Sequence, residues 1–260
     1  MTPAYVTLWL LTSAYAVPLG YYASEDSCRI ASSQLAVPAA AQVLCVPSEV
    51  GQPPGAAAQA QASEPQSSSA PTVPPDSAKV AAAGEPFIGD DTAPVVMAYW
   101  YDYQCPFCRQ NEEGVLPRLI KDYVDTGKVK VVFKDFAFLG PDSQTAGYAA
   151  RAVWETAPDK FYSWHKAMFD HQGEENSGWA TKDKVIALTK TVAGIDADKV
   201  EKLMTDNATD YQKVIDADAA EGASMGVTGS PGVIIGTQLI VGAQSYDQFK
   251  SAIETALGKK

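Results

Sequence analysis

Two cysteines, Cys105 and Cys108, stand where an apolar, aromatic-rich run from Val95 to Tyr101 gives way to a stretch with helical periodicity. That placement constrains the fold more than any other feature of the chain. A C-x-x-C spacing on the first turn of a helix brings two sulfurs within bonding distance. It also sets the first at the helix N-terminus, where unpaired N–H groups and the macrodipole favour negative charge. A thiolate is the nucleophile of disulfide exchange, so Cys105 is the expected reactive atom. Pro106 suits the first helical position, where a missing N–H costs nothing.

Other readings of Cys-Pro-Phe-Cys fit less well. Zinc commonly takes four ligands from two such pairs, or from a pair plus two histidines. Here the remaining cysteines are Cys28 and Cys45, in a segment unlike a folded domain, and the histidines are His165 and His171. No metal site is expected. A purely structural disulfide of such short spacing is strained and labile. Two inert buried thiols are the remaining alternative.

The chain has 260 residues and a net charge of −11, with −3 in residues 1–84 and −8 in the rest. An acidic folded part argues against nucleic acid or an anionic membrane surface as the main ligand. Ala4 to Ala23 is mostly apolar and long enough to span a bilayer. Ala14-Tyr15-Ala16 also reads as a cleavage site, so residues 1–24 are expected to be a signal or a membrane anchor. No basic residue lies before the apolar run in residues 1–3 and Arg29 follows it, an asymmetry opposite to the positive-inside rule.

Residues 25–84 read as a disordered linker holding Cys28 and Cys45, which can close a loop on each other in an oxidising compartment or stay apart. From 46 to 84 the linker is rich in Pro, Ala, Gln, Ser and Gly, and it offers too little apolar surface to offset the entropy of ordering. From Glu85 the composition turns globular. Val95–Tyr101 reads as a buried strand, and 106–123 as a helix kinked near Gly114 and Pro117. Val129–Phe136 alternates as a second strand. A helical block of about 143–222 follows, then a hairpin at 232–236 and 239–242 and a closing helix at 246–257.

This order, with YDYQCPFCRQ at 101–110, DTGKVKVVFKDF at 125–136, GVTGSPGVIIG at 226–236 and LIVGAQSYDQFKSAI at 239–253, resembles the DsbA-like thiol-disulfide oxidoreductases. The resemblance covers residues 85–260. It implies an α/β thioredoxin fold with an inserted all-helical domain, preceded here by the apolar segment and linker. It implies an extracytoplasmic enzyme, in the periplasm or at the cell surface, membrane-anchored or secreted, that introduces disulfides into exported proteins through Cys105 and Cys108.

The family's cis-proline loop maps onto Ser230-Pro231, which together with Pro106 and Phe107 is expected to bind substrate. There the backbone beside Pro231 pairs with an extended chain, and the Ser230 hydroxyl tunes the nearby sulfur. Partners implied are unfolded cysteine-containing proteins and a membrane reoxidant of the DsbB or VKOR type; no soluble cofactor is needed. Phe107 departs from the Pro-His dipeptide of the best-known members. It brings no charge to the thiolate, so a less oxidising couple is expected.

A reductase or isomerase would use the same residues in reverse, and a non-catalytic chaperone-like domain is the reading from another class. His165 is expected to be structural or at the surface, and His171 a charge partner for a helix end. Among Trp100, Tyr101 and Tyr103, one or two are expected to line a peptide groove. Lys134 and Asp135 are candidates for charge near the site.

Overall fold

In a computed structural model, residues 5–11, 16–22, 42–48 and 73–258 are described. The chain divides into two units, Met1–Ser69 and Ala70–Lys260. In the first, β1 (Tyr5–Leu11) pairs antiparallel with β2 (Ala16–Tyr22) and with β3 (Gln42–Ser48), and Cys45 stands opposite Leu8. The apolar N-terminal run is therefore extended rather than helical, and β3 falls inside the stretch expected to be disordered. No helix among the described residues is long and apolar enough to cross a membrane. Cys28 lies outside the described residues.

The second unit is built on a five-stranded sheet. Its strands are β4 (Phe87–Ile88), β5 (Val95–Tyr101), β6 (Val129–Asp135), β7 (Gly232–Ile235) and β8 (Gln238–Val241), in the spatial order β4-β6-β5-β7-β8. β5 and β6 run parallel, and every other pairing is antiparallel. The crossover from β5 to β6 is made by α1 (Pro106–Gly114), α2 (Leu116–Leu119) and a π turn at Ile120–Val124. The expected kink is thus a break at Val115. Five helices fill the excursion between β6 and β7: α3 (Pro141–Thr156), α4 (Phe161–Asp170), α5 (Lys182–Thr189), α6 (Ala197–Asp206) and α7 (Ala208–Ser224). The chain closes with α8 (Tyr246–Ala256).

β5 reads as an unbroken apolar run because both faces of the sheet are covered. Side chains alternate along a strand. Met97, Tyr99 and Tyr101 enter a large core with Phe133, Trp164 and Phe249, while Ala98 and Trp100 enter a smaller one with Val80, Met225, Val227 and Ile234. Trp100 is wholly buried and its indole N–H donates to the Asp218 carbonyl of α7 at 2.8 Å. That approach requires Gly222, since a Cβ there would lie 2.7 Å from the indole nitrogen.

Residues 73–84, expected as linker, belong to this domain. The Val73 N–H donates to Ser224, the Ser77 N–H to the Gly236 carbonyl, and the Ala81 N–H to the Glu221 carboxylate at 2.7 Å. Glu85 enters a buried ionic cluster. Arg151 binds Glu85, Asp135 and Asp218, and Lys134 binds Glu85, Asp218 and Glu221. Lys134 and Asp135, expected as charges near the dithiol, are spent here. The cluster carries more acid than base, and burial pushes the Glu85 carboxyl up to about 7 against the pull of Arg151. One pair of apolar side chains could not have marked this strap in the sequence, because its surroundings from 46 to 84 are small and polar.

Candidate active site

β5 ends at Tyr101, and four residues later Cys105 caps the N-terminus of α1, with extended dihedrals (φ −74°, ψ 118°) and Pro106 in the first turn. Cys105 is 4% exposed and Cys108, one turn on, is wholly buried. Both are free thiols. The Ser230–Pro231 peptide is cis, and the Cys105 thiol donates to the Ser230 carbonyl at 3.3 Å. Dithiol and proline loop, separated by 125 residues, therefore meet. The Ser230 hydroxyl is buried and makes no hydrogen bond while Cys105 is a thiol; the carbonyl accepts from the thiol, and the hydroxyl is left to stabilise the thiolate.

The two sulfurs differ in chemistry. The Cys105 thiol is pushed down to about 6: a hydrogen bond from Cys108 is the largest cause, and the Ser230 hydroxyl and the N–H groups of Cys108 and Phe107 add to it against partial burial. Burial pushes the Cys108 thiol well up, and the neighbouring Cys105 sulfur pushes it further. Near neutral pH the pair is one thiolate and one thiol. A thiolate at the surface end can attack or be attacked, and the covered thiol beside it can resolve a mixed disulfide.

A polar network fixes the loop before the dithiol. Asp102, 1% exposed, accepts from the Gln104 N–H at 2.8 Å, from the Ser143 hydroxyl at 2.6 Å, and from the Phe138 and Leu139 N–H groups at 3.0 and 3.1 Å. Gln104 exchanges hydrogen bonds with Asn176, which holds a positive φ of 53°. Gln172 donates to the carbonyls of Tyr103 at 2.7 Å and Cys105 at 3.1 Å. The insertion therefore grips the loop before the dithiol at several points. The sequence reading missed these residues; Asp102 alone carried a signal, as an Asx-turn residue before a helix start.

Trp100, Tyr101 and Tyr103 are all buried and none lines a groove, because all three belong to strand and loop faces covered by helices. The exposed apolar side chains near the site are Phe107, 58% exposed between the cysteines, Phe138 on the loop tied down by Asp102, and Val241. Val241 adjoins the proline loop through the Gly242 N–H, which donates to the Pro231 carbonyl at 2.8 Å. His165 is fully buried, with Nδ1 2.8 Å from the Tyr103 hydroxyl and Nε2 3.1 Å from Glu112 of α1. His171 caps α4, and its Nδ1 lies 2.9 Å from the Ala167 carbonyl. Among the described residues no cluster suits a metal ion.

A family model described as Thioredoxin matches residues 81–255. The chain belongs to this thioredoxin family. Within it, the relatives include a protein named disulfide bond formation protein D from Bacillus subtilis, 29% identical over 68% of this chain and 79% of that one. The crystal structure of oxidised BdbD from Bacillus subtilis superposes with a TM-score of 0.63 at 27% identity, covering 68% of this chain and 95% of that one. The thiol-disulfide exchange protein alpha-DsbA2 from Wolbachia pipientis gives 0.57 at 27% identity, over 66% and 86%. The thioredoxin fold with its helical insertion is thus the DsbA-like form.

Proposed function

We propose that this thioredoxin-family chain is a protein thiol-disulfide oxidoreductase that introduces disulfides into exported proteins through Cys105 and Cys108. The observation that carries the reading is the opposed ionisation of the two thiols, joined to the names of the relatives. A substrate thiolate attacks Cys105 of the disulfide form, and Cys108 leaves. A second substrate cysteine then attacks its own sulfur in the mixed disulfide and releases Cys105 as a thiolate. A depressed Cys105 pKa stabilises that leaving group and the reduced enzyme, which favours handing the disulfide on.

Ser230, Pro231, Pro106 and Phe107 make the substrate platform: the proline loop offers backbone to an extended chain, and Phe107, Phe138 and Val241 offer apolar contact to unfolded segments. An enzyme acting on exported proteins works outside the cytoplasm, at the cell surface or in the periplasm, and the N-terminal apolar run would serve it as anchor or cleaved signal. A membrane partner of the DsbB or VKOR type reoxidises the dithiol. The test is oxidative refolding of a reduced, unfolded disulfide protein by the oxidised chain, with Cys105→Ser as control. Stoichiometric transfer of the disulfide is expected. A reduction potential as low as that of a cellular reductant, with no transfer, would refute the oxidase assignment.

A further inference from the structure

Cys105 is the cap of α1, so its reactivity depends on how the peptide that carries it is turned. The N–H groups of Phe107 and Cys108 act on the sulfur and favour its thiolate, with the sulfur in the position an N-cap oxygen usually occupies. Pro106 has no N–H to give. The turn of the peptide is fixed at the Cys105 carbonyl. From within the helix this oxygen accepts the Arg109 N–H at 3.1 Å. From outside it accepts the Gln172 amide, also at 3.1 Å, and the same Nε2 donates to the Tyr103 carbonyl at 2.7 Å. A side-chain NH2 has two hydrogens, and here both go to the loop that delivers the nucleophile. Among the described residues no other side chain donates to the Cys105 carbonyl.

Gln172 is itself held in place. It follows the end of α4 at Asp170, and its N–H donates to the Phe169 carbonyl at 3.1 Å. α4 is anchored to the same loop by His165, 2.8 Å from the Tyr103 hydroxyl. Beyond Gln172 the chain is pressed onto Trp179 at Gly173, where a Cβ would lie 2.5 Å from the Trp179 Cβ. It then returns to the loop at Asn176, whose N–H donates to Gln104 at 2.6 Å. The titratable groups that act on Cys105 are Cys108 of α1 and Tyr99 of β5, and Asp102, earlier in the loop, is engaged by its four donors. The charges flanking Gln172 in the chain, His171, Glu174 and Glu175, are exposed, and Arg109 of α1 is paired with Glu113.

We infer that Gln172 is a positioning residue for the exchange reaction, by which the insertion turns the Cys105 peptide so that its sulfur faces the N–H groups of the first helical turn. This rests on the exchange reading proposed above and deepens it. Two effects share one sign. Holding the carbonyl keeps the peptide in the cap geometry, and hydrogen bonds to the Tyr103 and Cys105 oxygens offset partial negative charge beside the sulfur in the chain. Without the amide the cap loosens and that negative charge is uncovered, and both changes disfavour the thiolate. The reactivity of a sulfur on the thioredoxin helix is thereby set by a side chain of the insertion.

The test is the pH profile of iodoacetamide alkylation at Cys105 in the reduced full chain, read by mass spectrometry of the peptide that carries it, so that Cys28 and Cys45 do not enter. In Gln172→Leu, which keeps the bulk and loses both donors, the midpoint should rise by about one unit from about 6. The rate should then fall about twofold at pH 7 and about tenfold at pH 5, with the plateau at high pH unchanged. Gln172→Lys, which can still donate to both carbonyls, should titrate at or below the wild-type midpoint. A midpoint unmoved in Gln172→Leu would overturn the inference. So would one raised equally in both variants, which is what lost packing alone would give. Should Gln172→Leu fail to fold, Gln172→Ala is read in its place. Alkylation needs no disulfide partner, so a wild type that exchanges nothing with a reduced, unfolded protein would refute the exchange reading, while the midpoints still judge Gln172.

Discussion

Cys108→Ala is the sharpest perturbation of the dithiol. The largest cause of the depressed Cys105 pKa is the hydrogen bond it receives from the Cys108 thiol, with Ser230 and two backbone N–H groups behind it. A hydrogen bond to a charged group contributes about 1.5–3 kcal/mol, which corresponds to about 1–2 pKa units. The thiol at about 6 in the intact pair should therefore titrate at about 7–8 in the variant. The consequence for the redox couple follows by linkage. A group with its pKa lowered from 9.0 to about 6 adds stability to the reduced form that is absent below the lowered value. It grows with pH above that value and is fully present above the ordinary one. At pH 7 this is about 1.4 kcal/mol, or about 30 mV of more oxidising potential. The assay is thiolate absorbance in the ultraviolet against pH, under reducing conditions, with the Cys105→Ser trace subtracted to remove Cys28 and Cys45. A Cys105 titration that stays at its wild-type midpoint would show that the helix terminus alone depresses it, and the reasoning from Cys108 would fail.

Burial raises the Glu85 carboxyl to about 7, so its contribution to folding is fully present below the ordinary carboxyl range and is lost as pH rises through about 7. Melting temperature measured from pH 5 to 8 should fall less steeply in Glu85→Gln than in wild type, and an equal slope in both would contradict this. Phe107→Ser removes an exposed ring that can bury against a substrate. It should weaken binding of apolar cysteine peptides by about 1–2 kcal/mol and leave the Cys105 titration in place, as competition binding to a Cys108→Ala mixed disulfide would report. A chain beginning at Val73 should match the full protein in urea melts of the catalytic domain, whereas one beginning at Pro86 loses Val80 and Glu85 and should unfold at markedly lower urea. Equal midpoints would show that residues 73–85 hold nothing.

The parts of this molecule that were legible in its sequence are those written by local pattern. Val95–Tyr101 is apolar throughout because both faces are covered, and Cys105-Pro106 marks a helix start by the preference of proline for the first turn. Ser230-Pro231 was placed by resemblance, and the structure brings it to the thiol. What stayed hidden depends on closure in space. Gln104 and Asn176 are 72 residues apart and Arg151 and Asp218 are 67 apart, and no spacing rule joins such pairs. The strap at 73–84 was read as linker because Val80 acts singly in a tract of small residues. Tyr101 and Tyr103 were candidate groove residues since an aromatic beside a reactive site looks the same in sequence whether it faces solvent or α4.

One helix start produces both the nucleophile and its opposite. Cys105 lies at the cap, where N–H groups without intrahelical partners point at its sulfur, and the Ser230 carbonyl approaches at 3.3 Å. Cys108 follows by three residues, about 300° round the helix, and lies wholly buried beneath the first turn. The same geometry that leaves Cys105 reachable removes Cys108 from water, so desolvation raises one thiol while hydrogen bonding lowers the other. The asymmetry needs no charged residue between the cysteines. Phe107 can therefore be given over to substrate contact. Behind the dithiol, Glu112 of the thioredoxin helix and His165 of the insertion meet at 3.1 Å. The insertion is thus joined to the dithiol at two levels: by Gln172 and Asn176 at the surface loop, and by His165 in the core.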